Sequence, residues 1–253
     1  MITFLLTRKE MAHLLLSLKG WHEKQPLTIM QEAWRRIHKE EAIDSLLAGA
    51  TLSPVLEKIM RTKEQDIGFS LTEISALGNQ IENTNFSLTA LQNWVKRDVK
   101  EMVSTPQRGK KYALEQVALL FIVEDLKTAL DFESIRKLLQ LIVNDPDNRD
   151  DDLINPIFLY EAYSSLFEEL THDDKVYIET DKSTIACIEE TIKAKAAELA
   201  VSFPNTTETQ REAIRNVIII ATLSVHTAYF QMMAKRYLSA TLFLQNMQLS
   251  QDI

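Results

Sequence analysis

The chain has 253 residues, 45% of them apolar and 25% charged, with a formal net charge of −8. That mix excludes a disordered polymer, and the acidity excludes a whole-chain basic footprint for DNA or membrane, so any nucleic-acid surface must be local. There are five glycines, where average usage of about 7% would give roughly 18. Tight β-turns and phosphate-cradling loops depend on glycine, so β-sandwiches, β-barrels and Gly-rich nucleotide sites are excluded as well.

Residues 1–66 read as a helical extension. Arg8 to Lys19 carries leucines and Met11 at helical spacing, and Gly20 ends it. A second helix is predicted from Leu27 to Leu47, with Ile29, Trp34, Ile37 and Ile43 inward. Ser53-Pro54 then opens a short helix to Arg61, with serine as cap and proline in the first turn. Residues 67–143 hold the most detailed pattern. Ser70-Leu-Thr-Glu73 is a capping box, after which Leu71, Ile74, Leu77 and Ile81 share a face. Ser87 caps the next helix, with Leu88, Leu91 and Val95 inward. Val103 to Tyr112 contains the turn signal Pro106-Gln-Arg-Gly109 between two short extended runs. A strongly apolar helix follows from Leu114 to Leu130. Asp131 caps another, with Phe132, Ile135, Leu138, Leu139 and Ile142 inward.

Residues 144–152, with five aspartates, read as an acidic linker. Residues 153–253 read as a helical C-terminal domain. It has a helix from Asn155-Pro156 to Leu170, a loop at His172, an extended run at 175–180, and a helix from Ser183 to Phe203. Thr207-Glu-Thr-Gln210 is a second capping box, opening a helix towards Met247. About 40 residues of helix span about 60 Å. Its apolar run Val217–Phe230 is shorter than the roughly 20 residues that cross a bilayer, so it reads as a buried helix, apolar on more than one face up to Met233. It either fills its own domain or, as the expected dimerisation element of a homodimer without membrane contact, meets a twin across a two-fold axis.

Two short helices, a turn and a basic hairpin are the plan of a winged helix-turn-helix, whose second helix enters the major groove while the hairpin grips phosphate. Gln92 and Asn93 are types that pair with adenine in a bidentate way. Thr89, Lys96, Arg97 and Lys100 extend the exposed face, and Arg108, Lys110 and Lys111 occupy the wing. Residues 86–112 carry +4, which leaves −12 on the rest of the chain. Positive charge concentrated in an acidic protein is the footprint that DNA binding requires.

The string Leu91-Gln-Asn-Trp-Val-Lys-Arg97, then Arg108-Gly-Lys-Lys-Tyr112 and Leu114 to Leu139, resembles an uncharacterised bacterial domain-of-unknown-function family with a MerR-like winged helix. As in MerR-like proteins, a tyrosine leaves the wing, a helix follows, and the next helix opens with a Phe-x-x-Ile pattern, here Phe132-Glu-Ser-Ile135. The resemblance implies an all-α fold with a small β-wing, and double-stranded DNA as partner.

Other residues carry two readings each. Trp94 is a base-stacking ring or the core anchor under its helix. His226, with Tyr229, Met232 and Met233, marks a pocket for a small-molecule effector, or is a hydrogen-bonded core histidine. Cys187 is a small buried hydrophobe or a redox sensor. Asp145 to Asp150 begins like a calcium loop but lacks its glycine and final glutamate, so it reads as a solvated linker. There is no P-loop, G-x-S-x-G, H-E-x-x-H or C-x-x-C, so neither an enzyme nor a cofactor or metal site is expected. The lone cysteine and the short apolar start, Met1 to Leu6, predict a cytoplasmic protein. The functional expectation is a sequence-specific transcriptional regulator, and the alternative is a protein-interaction module that reuses the winged helix without DNA.

Overall fold

Helix α1, Arg8–Lys19, starts as a capping box. The Thr7 hydroxyl accepts from the Glu10 N–H, and the Glu10 carboxylate accepts from the Thr7 N–H. In the computed structural model, which describes residues 4–38, 52–62, 67–146, 148, 151–172 and 184–249, the further helices are α2 (Pro26–Ile37), α3 (Pro54–Arg61), α4 (Leu71–Gly78), α5 (Leu88–Asn93), α6 (Lys100–Val103), α7 (Leu114–Leu126), α8 (Phe132–Leu139), α9 (Pro156–His172), α10 (Thr184–Ser202) and α11 (Glu208–Leu249). A π-helical turn, Trp94–Asp98, continues α5. The protein is all-α, and the β-structure among the described residues is confined to isolated bridges.

Helix α7 is the centre. Every residue in it except Glu124 is buried, as a helix apolar on all sides demands. Helices α1, α9 and α11 pack on it, α2 packs on α1, and α10 packs on α9 and α11. One continuous hydrophobic cluster results, running from Phe4 through Trp34, Phe69, Phe121 and Tyr160 to Val225. The helices of 1–66 and 153–249 therefore share a core with those of 67–143. Backbone pairing joins them too. Leu6 N–H donates to the Gln80 carbonyl at 2.7 Å, and Glu82 N–H donates to the Leu6 carbonyl at 2.9 Å. These bonds tie the start of α1 to the turn after α4.

Several local expectations change. Helix α2 ends at Ile37, and residues 39–51 lie outside the described residues, as does the extended run at 175–180 and part of the acidic linker. Ser53 precedes α3 but makes no cap bond, and its hydroxyl is buried without a partner; the Leu56 and Glu57 N–H groups donate to the Ser53 carbonyl instead. The apolar helix α7 stops at Leu126, and residues 127–130 form a turn before the Asp131 cap of α8.

Helix α11 has 42 residues. Its stretch Glu208–Gln245 is long and apolar enough to cross a membrane. Ile214, Val217, Ile218, Ala221 and Val225 are buried within the chain's own core. The exposed apolar surface lies further along, at Phe230, Tyr237, Leu238, Leu242, Phe243 and Leu244. The expected Val217–Met233 dimerisation segment is thus largely consumed by the protomer, because three helices already cover its apolar faces.

Candidate nucleic-acid interface

The two short helices are held by a turn that sequence spacing makes look loose. Asn79 closes it from both sides: its Oδ1 accepts from Phe86 N–H at 2.8 Å and its Nδ2 donates to the Phe86 carbonyl at 3.0 Å. The Ser75 hydroxyl donates to the same carbonyl, and the Thr84 hydroxyl to the Gly78 and Ile81 carbonyls. Asn83 takes φ +62°, which asparagine tolerates better than most residues. Phe86 packs so closely on α4 that a Cβ at Gly78 would lie 2.4 Å from its ring. These bonds fix where α5 begins.

Ser87 caps α5 through the Ala90 N–H. Leu91, Trp94 and Val95 turn inward and are buried. Trp94 is the core anchor: it is 4% exposed, beside Phe132 with ring centroids 6.2 Å apart and with Lys127 Nζ 5.1 Å from its centroid. Thr89, Gln92, Asn93, Lys96, Arg97 and Lys100 are all exposed. They do not lie on one regular helix. Val99 N–H reaches back five residues to the Trp94 carbonyl at 2.9 Å, and the chain breaks at Val99 before α6. Such π turns often mark functional segments. Lys100 therefore starts a separate helical turn, and Arg136 Nη1 caps the break by donating to the Asp98 carbonyl. Arg97 Nε donates to the Asp98 carboxylate at 2.8 Å, and this bond holds the guanidinium above its ordinary pKa.

The expected wing strands are not extended runs. Val103 closes α6, and the wing is reduced to two single bridges. Arg108 and Lys111 exchange N–H···O bonds of 2.9 and 3.1 Å around Gly109, whose φ of +67° makes the turn. Phe69 and Tyr112 exchange bonds of 2.9 and 2.8 Å, joining the wing to the segment before α4. Arg108, Lys110 and Lys111 are exposed.

The side chain that holds the wing in place was not among the candidates. Gln116, on α7, is fully buried. Its Oε1 accepts from Gln107 N–H at 3.2 Å and Ala113 N–H at 2.9 Å. Its Nε2 donates to the Val103 carbonyl at 2.6 Å and the Thr105 carbonyl at 2.7 Å. All four bonding positions of the amide are used. The one sequence signal was a lone uncharged polar residue on the inward face of an apolar helix.

Helix and wing meet at a groove of about 450 Å³. Val95, Lys96 and Lys100 line it from one side, Thr105, Pro106 and Tyr112 from the other. The effector candidates fare differently. Tyr229 lines a cleft near α1 together with Met232; neither His226 nor Met233 lines it. His226 stacks edge-on against Phe167, 4.8 Å between centroids, and its buried Nε2 has no hydrogen-bond partner. Burial lowers its pKa. Cys187 is half-buried, and no cluster of three or more metal-ligating side chains occurs among the described residues.

Residues 64–163 match the family described as a domain of unknown function (DUF1836). The chain is 36% identical to "Uncharacterized protein YkrK" of Bacillus subtilis (strain 168) over 234 residues, which are 92% of this chain and 96% of that protein. The chain belongs to the DUF1836 family. No solved structure matches it. The family match takes in α4 to α8 and the first half of α9, hence the whole of the interface described above.

Proposed function

We propose that the protein is a sequence-specific DNA-binding transcriptional regulator built on a MerR-like winged helix. Helix α5 and its π turn enter the major groove, with Thr89, Gln92 and Asn93 towards base edges. Lys96, Arg97 and Lys100, with Arg108, Lys110 and Lys111 of the wing, hold phosphate. The observation that carries this reading is the groove between helix and wing, which places Lys96 and Lys100 opposite the wing base in an otherwise acidic chain. The exposed apolar end of α11 supports a homodimer in this reading, with half-site spacing set where it meets its twin. The place of action is the cytoplasm, where the DNA is.

The test is fluorescence anisotropy with a mixed-sequence duplex across a salt series, comparing the natural protein with a Lys96→Glu, Arg97→Glu double variant. The expected result is an affinity that falls steeply with salt, and a shallower slope in the variant. A folded protein with no affinity at low salt overturns the proposal and leaves the winged helix as a protein-interaction module.

A further inference from the structure

The interface accounts for one side of the helix-turn-helix. On another side, two adjoining clefts of about 460 and 310 Å³ share Arg8, Asn83 and Met232. They lie where the N-terminus of α1, the turn after α4, α7, α9 and the exposed part of α11 converge. Their sizes suit a small molecule.

The charges of this double cleft are unevenly satisfied. Each carboxylate has a partner. Asp125 takes Arg8 at 2.9 Å and the Tyr163 hydroxyl at 2.8 Å. Glu124 takes Lys127 and Glu82 takes Arg36, each at 2.8 Å. Glu168 accepts from the Thr7 hydroxyl. The cations differ. No carboxylate among the described residues lies within ion-pair distance of Lys9, Lys235 or Arg236, and Arg236 donates to the Met232 sulfur at 3.3 Å. Thr7, Arg8 and Lys9 line the smaller cleft with the positive end of a 12-residue helix.

A second observation points to a ligand independently of charge. Ser164 lines the same cleft, is fully buried, and its hydroxyl has no partner. Buried polar groups are normally hydrogen-bonded, so an orphan at a cleft wall marks a place for one more acceptor or donor. Phe167, Tyr229 and Met232 add apolar wall beside it.

We propose that this double cleft is a binding site for a small organic anion, a carboxylate or a phosphate monoester, held by Lys9, Arg236 and Lys235 with Ser164 hydrogen-bonded to its body. Resting on the regulatory reading, the anion is the effector. The larger cleft is lined by Asn83, Thr84 and Asn85 of the helix-turn-helix turn, and by Lys127, whose ammonium sits over Trp94, the anchor of the DNA-reading helix. An occupant that draws Lys127 or the turn towards itself shifts the seat of α5.

The test uses the full chain alone. Inorganic phosphate, glycerol phosphate and succinate are titrated by calorimetry and thermal shift, with sodium chloride at matched ionic strength as reference. The expected result is saturable binding of at least one anion beyond the chloride response. Preference between the phosphates and succinate identifies the headgroup. In a Lys9→Gln, Arg236→Gln variant the affinity falls by about tenfold or more, the equivalent of one lost charge contact. Ser164→Ala weakens binding while leaving the thermal midpoint of the free protein unchanged or higher, because it removes an unsatisfied group. Absence of saturable binding, or equal binding in the lysine–arginine variant, overturns the site. The anisotropy assay is then repeated with the anion present. An anion that binds without altering DNA affinity overturns its effector role, whereas anion binding by a protein with no DNA affinity at all sustains the site and removes the regulatory reading alone.

Discussion

Replacing Gln116 by leucine tests whether one buried amide holds the wing. The side chains are close in volume, so the loss is of hydrogen bonds rather than of packing. Of the four backbone groups bonded to it, those of Ala113 and Val103 belong to buried residues and those of Gln107 and Thr105 to exposed ones. The exposed pair regains water. The buried pair is stranded, at about 1–3 kcal/mol per group. Added apolar burial by leucine offsets about 1–2 kcal/mol, leaving a net destabilisation of about 3 kcal/mol. For a chain of this size that lowers the thermal midpoint by about 6–12 °C. Urea unfolding at constant m-value reads the same change as a lower midpoint. On the proposed DNA-binding reading, affinity for DNA falls further than the stability loss alone explains, because the freed loop carries Arg108, Lys110 and Lys111. A stability change under about 1 kcal/mol would refute the reasoning, since it would mean that water or a shifted backbone satisfies all four groups.

Three further outcomes follow from single side chains. Asp125→Ala strands the Arg8 guanidinium and the Tyr163 hydroxyl inside the core, and costs about 3–5 kcal/mol in urea unfolding; a loss under about 1 kcal/mol contradicts the pairing. Gly78→Ala sets two rules against each other. Helix propensity alone predicts a gain of up to about 1 kcal/mol, whereas the Cβ placed 2.4 Å from the Phe86 ring predicts a loss of about 1–3 kcal/mol, and calorimetry shows a lowered midpoint if packing wins. Burial, with His22, Lys9 and Lys24 adding to it, lowers the His13 pKa to about 4 from its ordinary 6.5. The unfolded chain therefore takes up this proton before the folded one, so stability is retained above about pH 6.5 and falls between there and about pH 4. His13→Gln flattens that part of the pH profile, and an unchanged slope between pH 5 and 7 counts against it.

Helix capping was legible at most of the helix starts, though Ser53 makes no cap bond and the Thr7–Glu10 box of α1 was missed. Ser70 with Glu73, Ser87, Asp131, and Thr207 with Gln210 all make the bonds that their spacing announces, because a cap is a local contract between residues three apart. What lay beyond local reach was lost. The Trp94–Asp98 π turn has no sequence mark, since it arises where a buried Trp94 and a buried Val99 must both face the core five residues apart. Val103 read as a strand end because β-branched runs look extended, and the α7 amide that takes its carbonyl lies 13 residues away. The effector candidates show the same limit. His226 stood out as the lone polar ring in an apolar run, yet it is packed on Phe167 and reaches neither cleft. The cleft is assembled from Lys9, Asn83, Ser164 and Arg236, which share no motif and come together only because Leu6 pairs with the turn after α4 while α9 and α11 pack around α7. Residues 1–66, read as a mere extension, thus supply the helix start on which that site depends. A truncation that begins at residue 67 would remove the Leu6 pairing and Arg8, leave Asp125 without its cation, and so report on core stability rather than on the proposed DNA binding.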